Sequence, residues 1–222
     1  MPDGDGHMAE VRLTLIGWNL SPYARRVAIS LLHYGLDFEH RKINAWQAYE
    51  DVAAHNPIVK VPVLITEEGT AIPESAMILD YLDCRVGPER ALTPPTSPAR
   101  DVVQVAVAIA LAAIDKAREL RYELHLRPDE LRYEPFVERW SRQINSALAD
   151  LDERVGDEFA AADSFTQADV TLGVMYDAVR HMHPDLLPEG HYPSLDRLQA
   201  RYRTLPEFIA TPLEKADTTI PK

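Results

Sequence analysis

The stretch from Val11 to Gly35, VRLTLIGWNLSPYARRVAISLLHYG, joins an apolar run, a polar turn and an amphipathic segment closed by glycine, so it reads as strand, turn and helix. A strand that turns at once into a helix points to a layered α/β unit, in which the helix lays its apolar stripe back on a sheet. Ser21 suits the N-cap, where its oxygen accepts a backbone N–H of the first turn, and Pro22 suits the first helical position, where no N–H is needed. Ala24, Val27, Ala28, Leu31 and Leu32 then share one face, Arg25 and Arg26 fall on the polar side, and Gly35 fits the residue past the end. Taken alone, Ser21 reads as a plain cap. A hydroxyl at a helix N-terminus nevertheless sits among unpaired amides at the positive end of the helix dipole, where a thiolate or other anion is stabilised. Chemistry is therefore sought at this turn.

With 222 residues, 46% of them apolar, the chain has material for one or two domains and a substantial core, and a soluble globular protein is expected. A net charge of −12 and the absence of a Lys/Arg-rich run exclude a nucleic-acid partner and argue against an anionic membrane surface. The single cysteine, Cys84, excludes an internal disulfide framework and any C-x-x-C pair, and fits a reducing cytosol and so a cytoplasmic protein. It reads as a buried or idle thiol. His181 and His183 form the only close histidine pair and read as a surface or loop feature, so no metal site is expected. The longest apolar run, Val102 to Ile114, is broken by Gln104 and too short to cross a bilayer; a buried helix is expected and no membrane span. Residues 1–8 are Gly- and Asp-rich without an apolar core and read as a disordered or vector-derived tail rather than a signal peptide.

Along the chain, Phe38 to Ile43 reads as a second strand, its charges placing it at an edge. Ala45 to Ala54 is a weak helical stretch stopped before Pro57. Val61 to Ile65 reads as a strand whose Pro62 requires an edge, a strand end or a cis bond. Thr70 to Ile72 completes an antiparallel hairpin, and Ser75 can cap a helix from Ala76 to Asp83, with Asp80 and Asp83 outward. A proline-rich break follows, which divides the chain into a βαβαββα unit over residues 9–85, a linker over 86–98 and a helical unit over 99–222. The helical unit is expected to hold helices over Ala99–Arg121, Glu134–Val155, from Thr166 to about His181 with a capping box to Asp169, and over Ser194–Arg203 with Ser194 as cap.

Four features in this order, Ser21-Pro22-Tyr23, Val61-Pro62, Glu74-Ser75 and Phe165-Thr166-x-x-Asp169-Val170, resemble the glutathione transferase superfamily along almost the whole chain. The resemblance implies a thioredoxin-like N-terminal domain with a four-stranded mixed sheet, an all-helical C-terminal domain, and a homodimer. It implies that Ser21 is the catalytic residue, hydrogen-bonding the sulfur of the co-substrate glutathione and favouring its thiolate. Val61-Pro62 matches the family's cis-proline, where the backbone of Val61 pairs with the cysteinyl part of glutathione. Ser75 and the amides after it would hold the γ-glutamyl carboxylate while Glu74 faces the ammonium. Lys60 could reach the glycyl carboxylate and Asn19 could support the sulfur; Tyr23 is a further polar neighbour. An electrophile pocket would lie between Trp18, Leu20 and the helix after Ala99, near Ile109, Ala113, Lys116 or Tyr122.

Redox-active relatives carry cysteine where Ser21 and Ala24 stand, so dithiol chemistry is excluded at this turn. Ile16-Gly17-Trp18 occupies the place of the tyrosine-type classes, which makes a serine-type enzyme the closer match. The implied function is a detoxifying transferase that conjugates glutathione to a small hydrophobic electrophile. An isomerase of the maleylacetoacetate type is the alternative within the fold, ranked lower because Asn19-Leu20-Ser21-Pro22 replaces its Ser-Ser-Cys run. A non-catalytic glutathione-binding or interaction protein is the third reading.

Overall fold

The computed structural model describes residues 12–213; the expectation for residues 1–8 and the start of the first strand at Val11 lie outside the described residues. Strand β1 (Leu13–Ile16) is followed by α1 (Pro22–His33), β2 (Phe38–Arg41), α2 (Tyr49–Ala53), β3 (Val63–Ile65), β4 (Ala71–Pro73) and α3 (Ser75–Val86). The strands form one mixed sheet in the order β2-β1-β3-β4, parallel between β1 and β2 and antiparallel elsewhere. This is the expected thioredoxin-like sheet, and the charged β2 lies at its edge. The register sets Arg41, Ile16, Val63 and Pro73 in one row. Each of the four ends or begins its strand, so the segments after β1, β2 and β4 and the segment before β3 all leave the sheet at the same end.

Several local expectations shift. The stretch after Asn44 is mostly turn and α2 is only one turn of helix, because the Asn44 side chain and carbonyl take the amides of Trp46, Gln47 and Ala48. The β3 ladder begins at Val63 rather than Val61, and the Val61–Pro62 peptide is cis, as is Ser97–Pro98. Ser75 is not the cap of α3. Glu74 is, with φ of +74° and its carboxylate accepting from the Ala76 amide, so Ser75 becomes the first helical residue. Asp83 turns inward rather than out, because its carboxylate receives the Tyr34 hydroxyl and the amides of Leu92 and Thr93. Cys84, on α3, is exposed, not buried.

The second unit is helical: α4 (Ala99–His125), α5 (Glu134–Arg154), α6 (Gln167–Met182), α7 (Pro193–Tyr202) and α8 (Pro206–Ala210), the last not anticipated. Val103, Ala106, Ala110, Ala113, Ile114, Ala117 and Leu120 of α4 fill its core. The apolar first half of α4 is covered on one side only, since Val102 and Val105 remain about half exposed. Ser194 does not cap α7, whose first amides, at Ser194 and Leu195, are bound instead by Asp152 of α5 at 2.8 and 2.9 Å. His183 is buried, its Nε2–H donating to the Ala117 carbonyl at 2.7 Å, which makes it an interhelical link rather than a surface feature. Among the described residues no helix is long and apolar enough to cross a membrane.

The two units meet across α1, and this corrects the polar-side reading of Arg25 and Arg26, which are 3% and 2% exposed. The reason is that α6 and α8 cover the face of α1 that the sheet leaves open. Arg25 is satisfied there: Nη1 meets Asp177 at 2.8 Å and Nε donates to the Thr211 carbonyl at 2.8 Å. Ser30 of α1 likewise donates to Gln167 of α6 at 3.1 Å.

Candidate active site

The end of the sheet defined by the Arg41–Ile16–Val63–Pro73 row carries the cluster. Ser21 is the N-cap of α1, extended at φ −74° and ψ 114°, and its Oγ accepts the Ala24 amide at 3.3 Å. No acidic residue stands in the first turn, and the Ser21 hydroxyl donates to nothing among the described residues, so its proton is available to a ligand. The turn is tied by Ser21 N–H to the Trp18 carbonyl at 3.1 Å. Gly17 seats it. At φ +143°, a Cβ there would stand 2.8 Å from the Ala24 Cβ and 3.2 Å from the Val61 Cβ. Its N–H reaches the Arg41 carbonyl at 3.0 Å and its carbonyl accepts from His40 Nε2 at 2.7 Å. Gly17 was not singled out from the sequence, although a glycine closing an apolar run is a standard sign of close backbone approach.

Val61 lies outside the β3 ladder, its Cβ packed against Gly17. Pro62 is buried, and Lys60 is exposed with its carbonyl held by Asn56 Nδ2 at 2.8 Å. Ser75 is fully buried. Its hydroxyl donates to Glu74 Oε1 at 3.0 Å, and the same oxygen takes the Ala76 amide at 3.1 Å, so the Glu74 carboxylate folds over the N-terminus of its own helix. Asn19 is fully buried, and neither atom of its amide has a partner among the described residues.

The wall opposite comes from α4. Tyr23 donates its hydroxyl to Asp115 at 2.5 Å, Arg118 pairs with Asp115 at 3.2 Å over the Tyr23 ring, and Trp46 meets Tyr122 edge-on at 5.9 Å. Burial first, and the bond to Asp115 second, push the Tyr23 phenol far up, so it stays protonated. Residues 115, 118 and 122 share one helix face, which fixes the rotation of α4. Ala113 falls off that face and is 1% exposed in the core, a correction to the expected pocket lining. Ile109, half-buried, lies a full two turns before Lys116 rather than before Asp115, and Lys116 itself pairs with Glu119 at 2.7 Å. Trp18 and Leu20 are half-buried at the turn. Tyr122 also opens onto a cavity of about 490 Å³ shared with Leu126, Leu131 and Trp140 and edged by Glu123 and Arg127.

A thioredoxin-like sheet with a serine-capped helix at its end, fused to a helical unit, has clear counterparts among known proteins. The family model for the glutathione S-transferase N-terminal domain matches residues 15–90. A Vibrio cholerae serotype O1 protein described as a "Probable maleylacetoacetate isomerase" is 30% identical over 92% of this chain and 98% of its own. Glutathione S-transferase Z2 of Arabidopsis thaliana is 27% identical over 94% of this chain and 95% of its own. The crystal structure of a glutathione S-transferase from Methylobacterium radiotolerans, in complex with glutathione sulfonate, matches with a TM-score of 0.86 and 30% identity, covering 93% of this chain and 98% of that one. The chain belongs to the glutathione transferase superfamily.

Proposed function

We propose that this chain is a glutathione transferase in which Ser21 holds the glutathione sulfur as thiolate for attack on a small hydrophobic electrophile. The observation that carries the reading is the Ser21 hydroxyl: it caps α1 through its oxygen and keeps its proton free, at the positive end of a helix with no acid in its first turn. A donor in that place, with the helix amides, favours thiolate over thiol. The thiolate forms a bond to an electrophilic carbon, either at the ring carbon of an activated aryl halide, from which the halide ion leaves, or by adding to an activated alkene whose carbanion then takes up a proton.

The other roles follow from the shared sheet end. The Val61 backbone pairs with the cysteinyl unit, and Lys60 reaches for the glycyl carboxylate. The γ-glutamyl carboxylate takes the Ser75 hydroxyl and the Ala76 amide, both now bonded to Glu74, and the displaced Glu74 carboxylate meets the ammonium. The electrophile rests between Trp18, Leu20 and the Tyr122 face of α4. These assignments divide the chain into a glutathione-binding unit over 9–85 and a helical unit over 99–222, joined by 86–98. Exposed Met77 on α3 and Val102 and Val105 on α4 supply apolar surface for a cytoplasmic homodimer.

A second reading, glutathione-dependent cis/trans isomerisation, is favoured by the Vibrio cholerae relative, which is similar over nearly its whole length. It uses the same thiolate, which adds to a double bond and leaves after rotation, so the product and not the site separates the two. The test is glutathione binding by calorimetry and turnover with a panel of electrophiles and a cis-dienoic acid, for wild type and Ser21→Ala. Turnover should fall about 100-fold in Ser21→Ala, as for loss of one donor to a developing anion, with binding only modestly weaker. Equal turnover in the variant refutes the role of Ser21, and binding without any turnover refutes the enzyme.

A further inference from the structure

Beyond Ile16 the parallel pairing of β1 with β2 runs one bond further, from the Gly17 N–H to the Arg41 carbonyl at 3.0 Å. The Gly17 carbonyl is taken by a side chain: His40 Nε2 lies 2.7 Å away, and because a carbonyl only accepts, Nε2 carries the proton. In the sequence His40 is one of the polar residues that mark β2 as an edge strand. In the fold it is half-buried, and alternation along the strand sets it on the same face as Phe38, ring centroids 5.8 Å apart. Phe38 packs against the hydrophobic core and gives the imidazole an anchored neighbour. The peptide before Gly17 is thus fixed by Arg41 and the peptide after it by His40, which together hold a φ of +143° that favours glycine. Both peptides lead to Ser21. Trp18, the other half of the peptide that His40 holds, takes the Ser21 N–H on its own carbonyl at 3.1 Å. Gly17 also lies against the first turn of α1: a Cβ on it would stand 2.8 Å from the Ala24 Cβ, and the Ala24 amide is the one that Ser21 Oγ caps at 3.3 Å.

We propose that His40 is a positioning residue for the thiolate site: by holding the Gly17–Trp18 peptide it sets where the Ser21 hydroxyl stands at the N-terminus of α1. This role rests on the glutathione reading of the site. His40 acts through Gly17, along the chain to Trp18 and Ser21 and across the contact with Ala24. A hydroxyl that donates to a thiolate loses much of its effect when it is shifted or turned, because hydrogen bonds weaken steeply with misalignment. Without the imidazole donor the Gly17 carbonyl turns toward water, the peptide rotates, and the Trp18 carbonyl that ties the Ser21 amide moves with it. The γ-glutamyl end of glutathione binds at the N-terminus of α3, away from this peptide. Loss of His40 is therefore felt in the state of the sulfur before it is felt in binding, which separates positioning from a general weakening of the sheet edge.

The experiment uses the full chain with His40→Leu, which removes the donor, and His40→Gln, whose amide nitrogen can stand in for Nε2. Where His40→Leu fails to fold, His40→Met supplies the variant without a donor. It measures kcat and KM for glutathione with chlorodinitrobenzene, the thiol pKa of bound glutathione by thiolate absorbance, and melting temperature, with rates normalised to glutathione sites counted by calorimetry. His40→Leu should lower kcat about tenfold, ~1.4 kcal/mol, with KM for glutathione within about twofold. The bound thiol should titrate about half a pH unit higher than in wild type. His40→Gln should bring kcat back to within about threefold of wild type. An equal fall in both variants, or a fall that vanishes on normalisation, refutes positioning and leaves His40 as part of the sheet edge. Wild type that binds and turns over glutathione, with His40→Leu unchanged in kcat and thiol pKa, refutes the role of His40 alone. Wild type that does neither refutes the glutathione reading, and the role of His40 with it.

Discussion

Helices α1 and α6 both begin at a hydroxyl residue, and their N-termini are used in opposite ways. At α6, Thr166 accepts the Ala168 amide while Asp169 returns to take the Thr166 amide and hydroxyl. Asp169 also receives the Ala160 amide at 2.9 Å and the Tyr202 hydroxyl at 2.8 Å, so the end is closed on itself and fully buried. At α1, Ser21 accepts one amide at 3.3 Å, no acid answers it, and the turn is partly open. Capping chemistry is the same in both. Whether a carboxylate from the protein fills the helix end decides if it is a lock or a site for an anion from outside. The N-terminus of α3 stands between the two, filled by a carboxylate, but one that belongs to the exposed Glu74.

Breaking the closed end should cost the most. Asp169→Ala strands two amides and two hydroxyls, and stability should fall by about 3–5 kcal/mol, measured as a lower denaturant midpoint. A loss under about 1 kcal/mol would mean the box is no lock. Disturbing the open end should cost less stability and more function. Gly17→Ala places a methyl 2.8 Å from the Ala24 Cβ at a φ of +143°, so about 1–3 kcal/mol of strain and a displaced Val61 are expected. Weaker glutathione binding with a preserved α6 end would sharpen the contrast; unchanged binding would break it.

The other end of α6 gives the smallest effect. Burial chiefly, with the charges of Arg121 and His125, holds His183 below the usual histidine range despite its bond to the Ala117 carbonyl. The folded form therefore prefers neutral His183, the unfolded chain gains the proton first, and stability is full above about pH 6.5 and falls below it. The slope for one proton is at most about 1.4 kcal/mol per pH unit. His183→Gln should flatten the fall in melting temperature between about pH 6.5 and 5; an unchanged slope would place the effect elsewhere.

Local signals made the layout legible. Ser21-Pro22 starts α1 and Thr166-x-x-Asp169 starts α6 where the capping pattern puts them, because each depends on residues within one turn. What stayed hidden depends on distant residues. Arg25 and Arg26 look like a polar face until α6 and α8 cover it, and Asp177 and Thr211, which satisfy Arg25, lie far along the chain. The rotation of α4 is set by Tyr23 and Trp46 from the other unit, so Ala113 and Asp115 could not be sorted into core and wall by periodicity in a helix apolar on several sides. Glu74 displaced Ser75 as the cap because its backbone adopts a positive φ that no residue pattern announced.

The thiol pKa of bound glutathione, followed by thiolate absorbance in wild type and Ser21→Ala, tests most directly whether the open helix end is a thiolate site. Bound to wild type, the thiol should titrate about two pH units below its ordinary value near 8.5, and in Ser21→Ala it should move back by about one. The same titration in both proteins would contradict the reading and leave Ser21 as no more than a cap.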